Sequence, residues 1–154
     1  MRILLDTNIF IPLEDSSINI DEKLAELNRL ASGKHELLLH PATIDDINRD
    51  RNEIRRNGSL ARIKKYNFLE TPPDFDEGEE AFLISIPKKD NDRVDNLILL
   101  SLYRDCVNWL ITQDNGIHKK AKLLNQEERV LTVDQAISAL SLQNLRALKL
   151  YPTI

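Results

Sequence analysis

Short apolar runs alternating with helix-length segments constrain this chain more than any other feature. Ile3-Leu4-Leu5, Glu36 to His40, Val107 to Thr112 and Val130 to Val133 have strand length and are dominated by consecutive apolar residues. Runs of that kind suit strands buried on both faces. Between them lie Asp21 to Ala31, which places Leu24, Leu27, Leu30 and Ala31 on one helical face before Gly33 ends it, then Asp92 to Asp105 and Asn115 to Leu124. Strands joined by helices are βαβ crossovers, so the fold class expected is α/β: a three-layer α/β/α sandwich with a central parallel sheet.

The middle and the end of the chain are less regular. Thr43 to about Arg56 reads as a helix with Ile44, Ile47 and Ile54 on one face, and Gly58-Ser59 is expected to break it and recap a shorter helix around Leu60 and Ile63. Glu70 to Glu80 carries six acids and Pro72-Pro73, which predicts a solvated connection or flap. Asp134 is placed to cap a helix running to about Leu140. The organisation expected is one domain over residues 1–141, with 142–154, rich in Leu142, Leu145, Leu148 and Leu150, as a C-terminal helix or tail.

Composition excludes several classes. The chain of 154 residues, 42% apolar and 30% charged, is long enough for one domain that buries roughly 70% of its unfolded surface, and it is not a disordered polymer. Met1-Arg2-Ile3-Leu4-Leu5 meets Asp6 too soon for a signal peptide, and no apolar run is long enough for a membrane span, so a cytoplasmic protein is expected. Cys106 is the one cysteine, which rules out a disulfide or a thiolate cluster within the chain.

Four acids stand where apolar runs end or helices begin: Asp6, Asp46, Asp95 and Asp114. In parallel sheets ligands bind outside the carboxyl ends of the strands, and right-handed crossovers bring helix starts to that same edge. Carboxylates gathered there repel one another unless cations bind, and hard divalent ions with oxygen ligands relieve that repulsion. Ordinary helix capping competes with this reading. Thr43-x-x-Asp46 fits a capping box, Asp92 can cap the helix that holds Asp95, and Asp6 and Asp114 suit N-caps.

Leu5-Asp6-Thr7-Asn8, the acid at a helix start after the second strand, Asp95-x-x-Ile98 and Ile111-Thr112-x-Asp114 together resemble the PIN domain, in this order and over roughly residues 1–140. The resemblance implies a Rossmann-like α/β/α domain and, in many members, a Mg2+- or Mn2+-dependent endoribonuclease, often the toxin of a toxin–antitoxin pair like the VapC toxins. Carried over, Asp6, Asp46, Asp95 and Asp114 would be the catalytic acids, with Asp6, Asp95 and Asp114 as metal ligands. Thr7 or Asn8 would help to hold a ligand or water. Two departures stand out: the second acid of the family is usually Glu, where this chain has Asp45-Asp46, and the middle of the chain is longer than in a minimal toxin. Asp45 competes with Asp46 for the role, and Asp92 is a further candidate ligand one helical turn before Asp95.

From Ile47 to Lys65 seven basic residues face two acids, a local charge of +5 on a chain of −4. Arg55, Arg56, Arg62, Lys64 and Lys65 are therefore candidates for phosphate contact beside the acids, against the alternative of a solvated helical face. Tyr66 and Phe68 could stack a base, but core packing is the expectation for both. His35, His40 and His118 lack ligand spacing, and Cys106 and Trp109 read as core. The sequence thus predicts a metal-dependent nuclease acting on RNA. Its rival is a catalytically weak PIN-like module that binds RNA or a protein, and the candidate partners are an antitoxin, an adjoining domain or a second copy of the chain.

Overall fold

The computed structural model describes residues 1–10, 20–84 and 92–150, with the side chains of Ile84, Asp92, Lys149 and Leu150 left aside. Five strands form one sheet: β1 (Arg2–Leu5), β2 (Glu36–Leu39), β3 (Asn67–Phe68), β4 (Trp109–Ile111) and β5 (Val130–Leu131). The helices are α1 (Ile20–Ala31), α2 (Ala42–Asn48), α3 (Glu53–Ile63), α4 (Glu77–Ile84), α5 (Asp92–Tyr103), α6 (Asn115–Leu123) and α7 (Val133–Leu150). Every strand pairing is parallel, and the order is β3-β2-β1-β4-β5. The expected α/β class and layered sandwich are what the structure shows.

The alternation of side chains along each strand divides the core into two halves. Ile3, Leu5, Leu39 and Ile111 pack with Leu24, Leu27 and Leu30 of α1, Ile63 of α3, and Ala136 and Leu140 of α7. Leu4, Leu38 and Leu110 pack on the opposite face with Ile98, Leu99 and Leu102 of α5 and Ile117 and Ala121 of α6. The strands are short because each needs only enough residues to meet a helix layer above and below. Among the described residues no helix is long and apolar enough to cross a membrane.

Several local readings are corrected. The helix expected from Thr43 to Arg56 ends at Asn48, and α3 restarts at Glu53 because Asn52, in extended conformation, caps it by accepting from Arg55 N at 3.0 Å. Asp50 fixes the same bend by accepting from the Arg55 side chain at 2.6 and 2.8 Å. Gly58-Ser59 does not break the chain but lies inside α3, since one glycine costs a helix only about 1 kcal/mol. The acidic stretch is not loop throughout. Asp76 Oδ1 accepts from Glu79 N at 2.7 Å while Glu79 Oε1 accepts from Asp76 N at 3.1 Å, a reciprocal capping box that starts α4.

The fourth correction concerns capping of α2. Its N-cap is Pro41 with no side-chain hydrogen bond, so Thr43-x-x-Asp46 is not a capping box, and Asp46 sits one turn inside the helix. Past β5, α7 runs unbroken from Val133, so Asp134 lies inside the helix and Thr132 with Gln135 caps it instead, and the helix expected to stop near Leu140 continues through Leu142, Leu145 and Leu148; residues 151–154 lie outside the described residues. Tyr66 is a core residue as expected, whereas Phe68, for which core packing was also expected, is exposed on the edge strand β3. The Tyr66 ring meets Phe10 edge-on at 5.3 Å, and its hydroxyl accepts from Asn28 Nδ2 at 2.9 Å.

Candidate functional site

The strand order reverses between β1 and β4: β2 and β3 extend to one side of β1, β4 and β5 to the other. A crevice outside the carboxyl ends of those two strands is where this architecture takes ligands. Asp6 follows β1 directly, and Thr112 and Asp114 follow β4. Strand pairing persists one step past each, with Asp6 N donating to Ile111 O and Thr112 N to Leu131 O, both at 2.9 Å.

Asp6 is 2% exposed. Its Oδ1 accepts from Thr7 N at 2.7 Å and its Oδ2 from the Thr112 hydroxyl at 2.6 Å. The same Thr112 Oγ1 accepts from Asp114 N at 3.0 Å, so one hydroxyl links both acids. Burial pushes the Asp6 carboxyl up to about 7, and the charges of Asp95 and Asp114 push in the same direction; the bonds from Thr112 and Thr7 oppose them without winning.

Asp95 comes from the first turns of α5 and is 9% exposed. Asp114 is the N-cap of α6, its Oδ1 accepting from Gly116 N at 2.7 Å and Ile117 N at 3.3 Å. Capping and site membership, the competing readings of this residue, are both satisfied by its geometry. The loops after β1 and β4 are tied once more where Asn8 Oδ1 accepts from Gln113 N at 3.3 Å.

The structure therefore brings Asp6, Asp95 and Asp114 within electrostatic range of one another. Asp46 lies on α2, with its carboxylate 3.5 Å from Arg49. Of the Asp45-Asp46 pair, Asp46 is the more buried and lies one turn from the fully buried Thr43, whereas Asp45 is exposed. Asp92 opens α5, and its side chain lies outside the described residues. Thr7 is buried, and its Oγ1, with His40 Nε2 and Thr43 Oγ1, lacks a hydrogen-bond partner among the described residues. Burial pushes the His40 imidazole pKa down.

The donor set is all oxygen, the chemistry that Mg2+ and Mn2+ select, and a buried carboxyl raised by neighbouring anions gains from a cation. Among the described residues, however, no three His, Cys, Asp or Glu side chains gather closely enough to form a ready-made metal-ligand group. Mg2+ is commonly held by one or two carboxylates with water completing its shell, so the residues present fit such an ion through a pair of them.

The basic segment divides. Arg55 is bound to Asp50, Arg56 Nη1 donates to Asp50 O at 2.9 Å, and Arg62 Nε donates to Asp21 at 2.8 Å. Lys64 and Lys65 are exposed past the end of α3. A cleft of about 320 Å3 lies away from this edge, between α4 and α5, lined by Phe82, Leu83, Leu100, Tyr103 and Leu124. Its acid, Glu79, is bound to Arg104.

Two residues that matter here were not among the candidates read from sequence. Thr112 was visible only as part of a motif, and its bond to Asp6 spans 106 positions. Lys120 left a clearer trace: with Ile117 and Ala121 it occupies the buried i, i+3, i+4 stripe of α6, where a lysine is out of place. Compared with known proteins, the chain significantly matches no family model, no curated protein and no solved structure.

Proposed function

We propose that this chain is a cytoplasmic, divalent-metal-dependent ribonuclease that hydrolyses RNA phosphodiester bonds at the acidic edge beside β1 and β4. The observation that carries the reading is the buried Asp6 carboxyl, raised to about 7 beneath the charges of Asp95 and Asp114 at the reversal of strand order. It agrees with the resemblance of the same residues to the PIN domain.

Asp6 and one of its acidic neighbours, Asp95 or Asp114, would hold Mg2+ or Mn2+, with water completing the shell. When bound, such an ion lowers the pKa of a coordinated water and stabilises charge on the leaving oxygen. The chain's own residues prepare that place. Thr112 and Thr7 N each occupy one lone pair of Asp6 and leave the others for a ligand. The α6 cap fixes Asp114. Asp46, 3.5 Å from Arg49, would be the fourth acid, and the exposed Lys64 and Lys65 would contact phosphate, while Arg55, Arg56 and Arg62 hold the helix that precedes them.

The test is cleavage of end-labelled single-stranded RNA with Mn2+, Mg2+ or chelator, comparing the wild type with Asp95→Asn prepared identically. Metal-dependent cutting lost in the variant is the expected result. A second reading, a PIN-like module that binds RNA or a protein without cutting, draws on the absence of a ready-made three-ligand group among the described residues. Its mark is salt-sensitive RNA binding that needs no metal and survives both Asp6→Asn and Asp95→Asn. An antitoxin, an adjoining domain or a second copy of the chain would meet the exposed Leu142, Leu145 and Leu148 of α7; light scattering checks the dimer.

A further inference from the structure

Lys120 is 1% exposed, and its ammonium donates to Asn96 Oδ1 at 2.8 Å; Asn96 is itself 2% exposed. Among the described residues no other lysine or arginine is buried. An ammonium has three donors and a full charge. The Asn96 amide satisfies one donor and balances none of the charge, and a buried cation without anions nearby is strongly disfavoured.

Two acids stand on the same pair of helices. Asn96 directly follows Asp95 in α5, so their Cα atoms are about 3.8 Å apart. Asp114 caps the helix that carries Lys120, about 9 Å earlier along its axis, and long helical side chains lean back toward the helix start. Helices α5 and α6 pack against each other. Asp6 follows β1 on the same edge, and the charges of Asp95 and Asp114 act on it.

We propose that Lys120 is the resident counter-cation of the acidic edge, balancing Asp95 and Asp114 from between α5 and α6 in the metal-free protein and leaving Asp6 to an incoming cation. It is a positioning residue, acting through the acids rather than on substrate. Its metal readout rests on the proposed metal site; its stability readout does not.

The experiment compares Lys120→Gln, which keeps a donor for Asn96 but not the charge, with Lys120→Arg. Mn2+ affinity is measured by calorimetry, and thermal stability is measured in chelator. Loss of a positive charge beside an acidic site tightens cation binding, whereas loss of a merely structural prop loosens it. Lys120→Gln is therefore expected to melt lower in chelator yet to bind Mn2+ about fivefold or more tighter, with Lys120→Arg close to wild type. Unchanged or weaker Mn2+ binding by Lys120→Gln overturns the proposal.

If the wild type binds no Mn2+, the metal reading fails and the melts in chelator decide the role of Lys120. In an Asp95→Asn background the loss caused by Lys120→Gln should then shrink markedly, and an undiminished loss overturns it. Should Lys120→Gln alone fail to fold, recovery of folding in the double variant Asp95→Asn/Lys120→Gln supports the proposal, and failure to recover overturns it.

Discussion

The hydroxyl of Thr112 donates to Asp6 Oδ2 at 2.6 Å while accepting from the backbone N of Asp114, so a single side chain at the end of β4 sets the position of two acids from different segments. Removing it leaves a buried carboxyl oxygen and an amide each short of a partner. Thr112→Val is expected to cost about 1–3 kcal/mol in metal-free urea unfolding, and Thr112→Ser much less. Equal stability of the valine variant and the wild type would count against this linkage.

Asp6 gives the metal-free protein a characteristic pH dependence. Its carboxyl is raised from 3.8 to about 7 on folding, so between those values the folded state holds a proton that the unfolded state has released. Stability from this group is present below about 4 and is lost as pH rises through 7, a loss on the order of 4 kcal/mol for so buried a group. Asp6→Asn should remove that decline and melt higher than the wild type at pH 8 in chelator. His40, whose pKa burial lowers, has the opposite slope below its ordinary value, so the difference between the two proteins, rather than either curve, is the quantity to measure.

Charge and capping at Asp114 can be separated. Asn caps helices about as well as Asp, so Asp114→Asn should leave stability within roughly 0.5 kcal/mol of wild type, while Asp114→Ala should cost about 1 kcal/mol more. Both should lose RNA cleavage by about a hundredfold or more if the acid serves in the site. Retained cleavage in the asparagine variant would reduce Asp114 to its cap.

Gly58 offers a stabilising change outside the site. It lies inside α3, and a Cβ there would meet only Arg62 Nη1, at 3.3 Å, the far end of a flexible side chain. Gly58→Ala should gain about 0.5–1 kcal/mol in thermal or urea unfolding. A loss would mean that Arg62 cannot shift without giving up Asp21.

What could be read from the sequence follows the range of the forces involved. The strands and most helix limits are set by neighbours: apolar runs, the cap at Asp114, and Gly33 at φ +73° just past α1. The bend at Asp50 to Asn52 was equally local but was overshadowed by Gly58-Ser59, and the Asp76-x-x-Glu79 box by the surrounding acids and prolines. The two-residue edge strand β3, exposed at Asn67 and Phe68, carries no periodic signal at all. Three of the five basic candidates found carboxylate or carbonyl partners, and the pairing of Arg62 with Asp21 spans 41 positions, a distance over which charge patterning is silent.

The strand order also sets a timetable. The central strand β1 is synthesised first, but its neighbour β4 begins only at Trp109, and the hydroxyl that holds Asp6 arrives at residue 112. A ribosome must therefore add 106 residues after Asp6 before the two banks of the crevice can meet, and pairing of such distant segments is slow. Until that moment the nascent polypeptide has an aspartate at position 6 and no assembled site, so whatever chemistry the finished molecule performs is withheld from its own translating message.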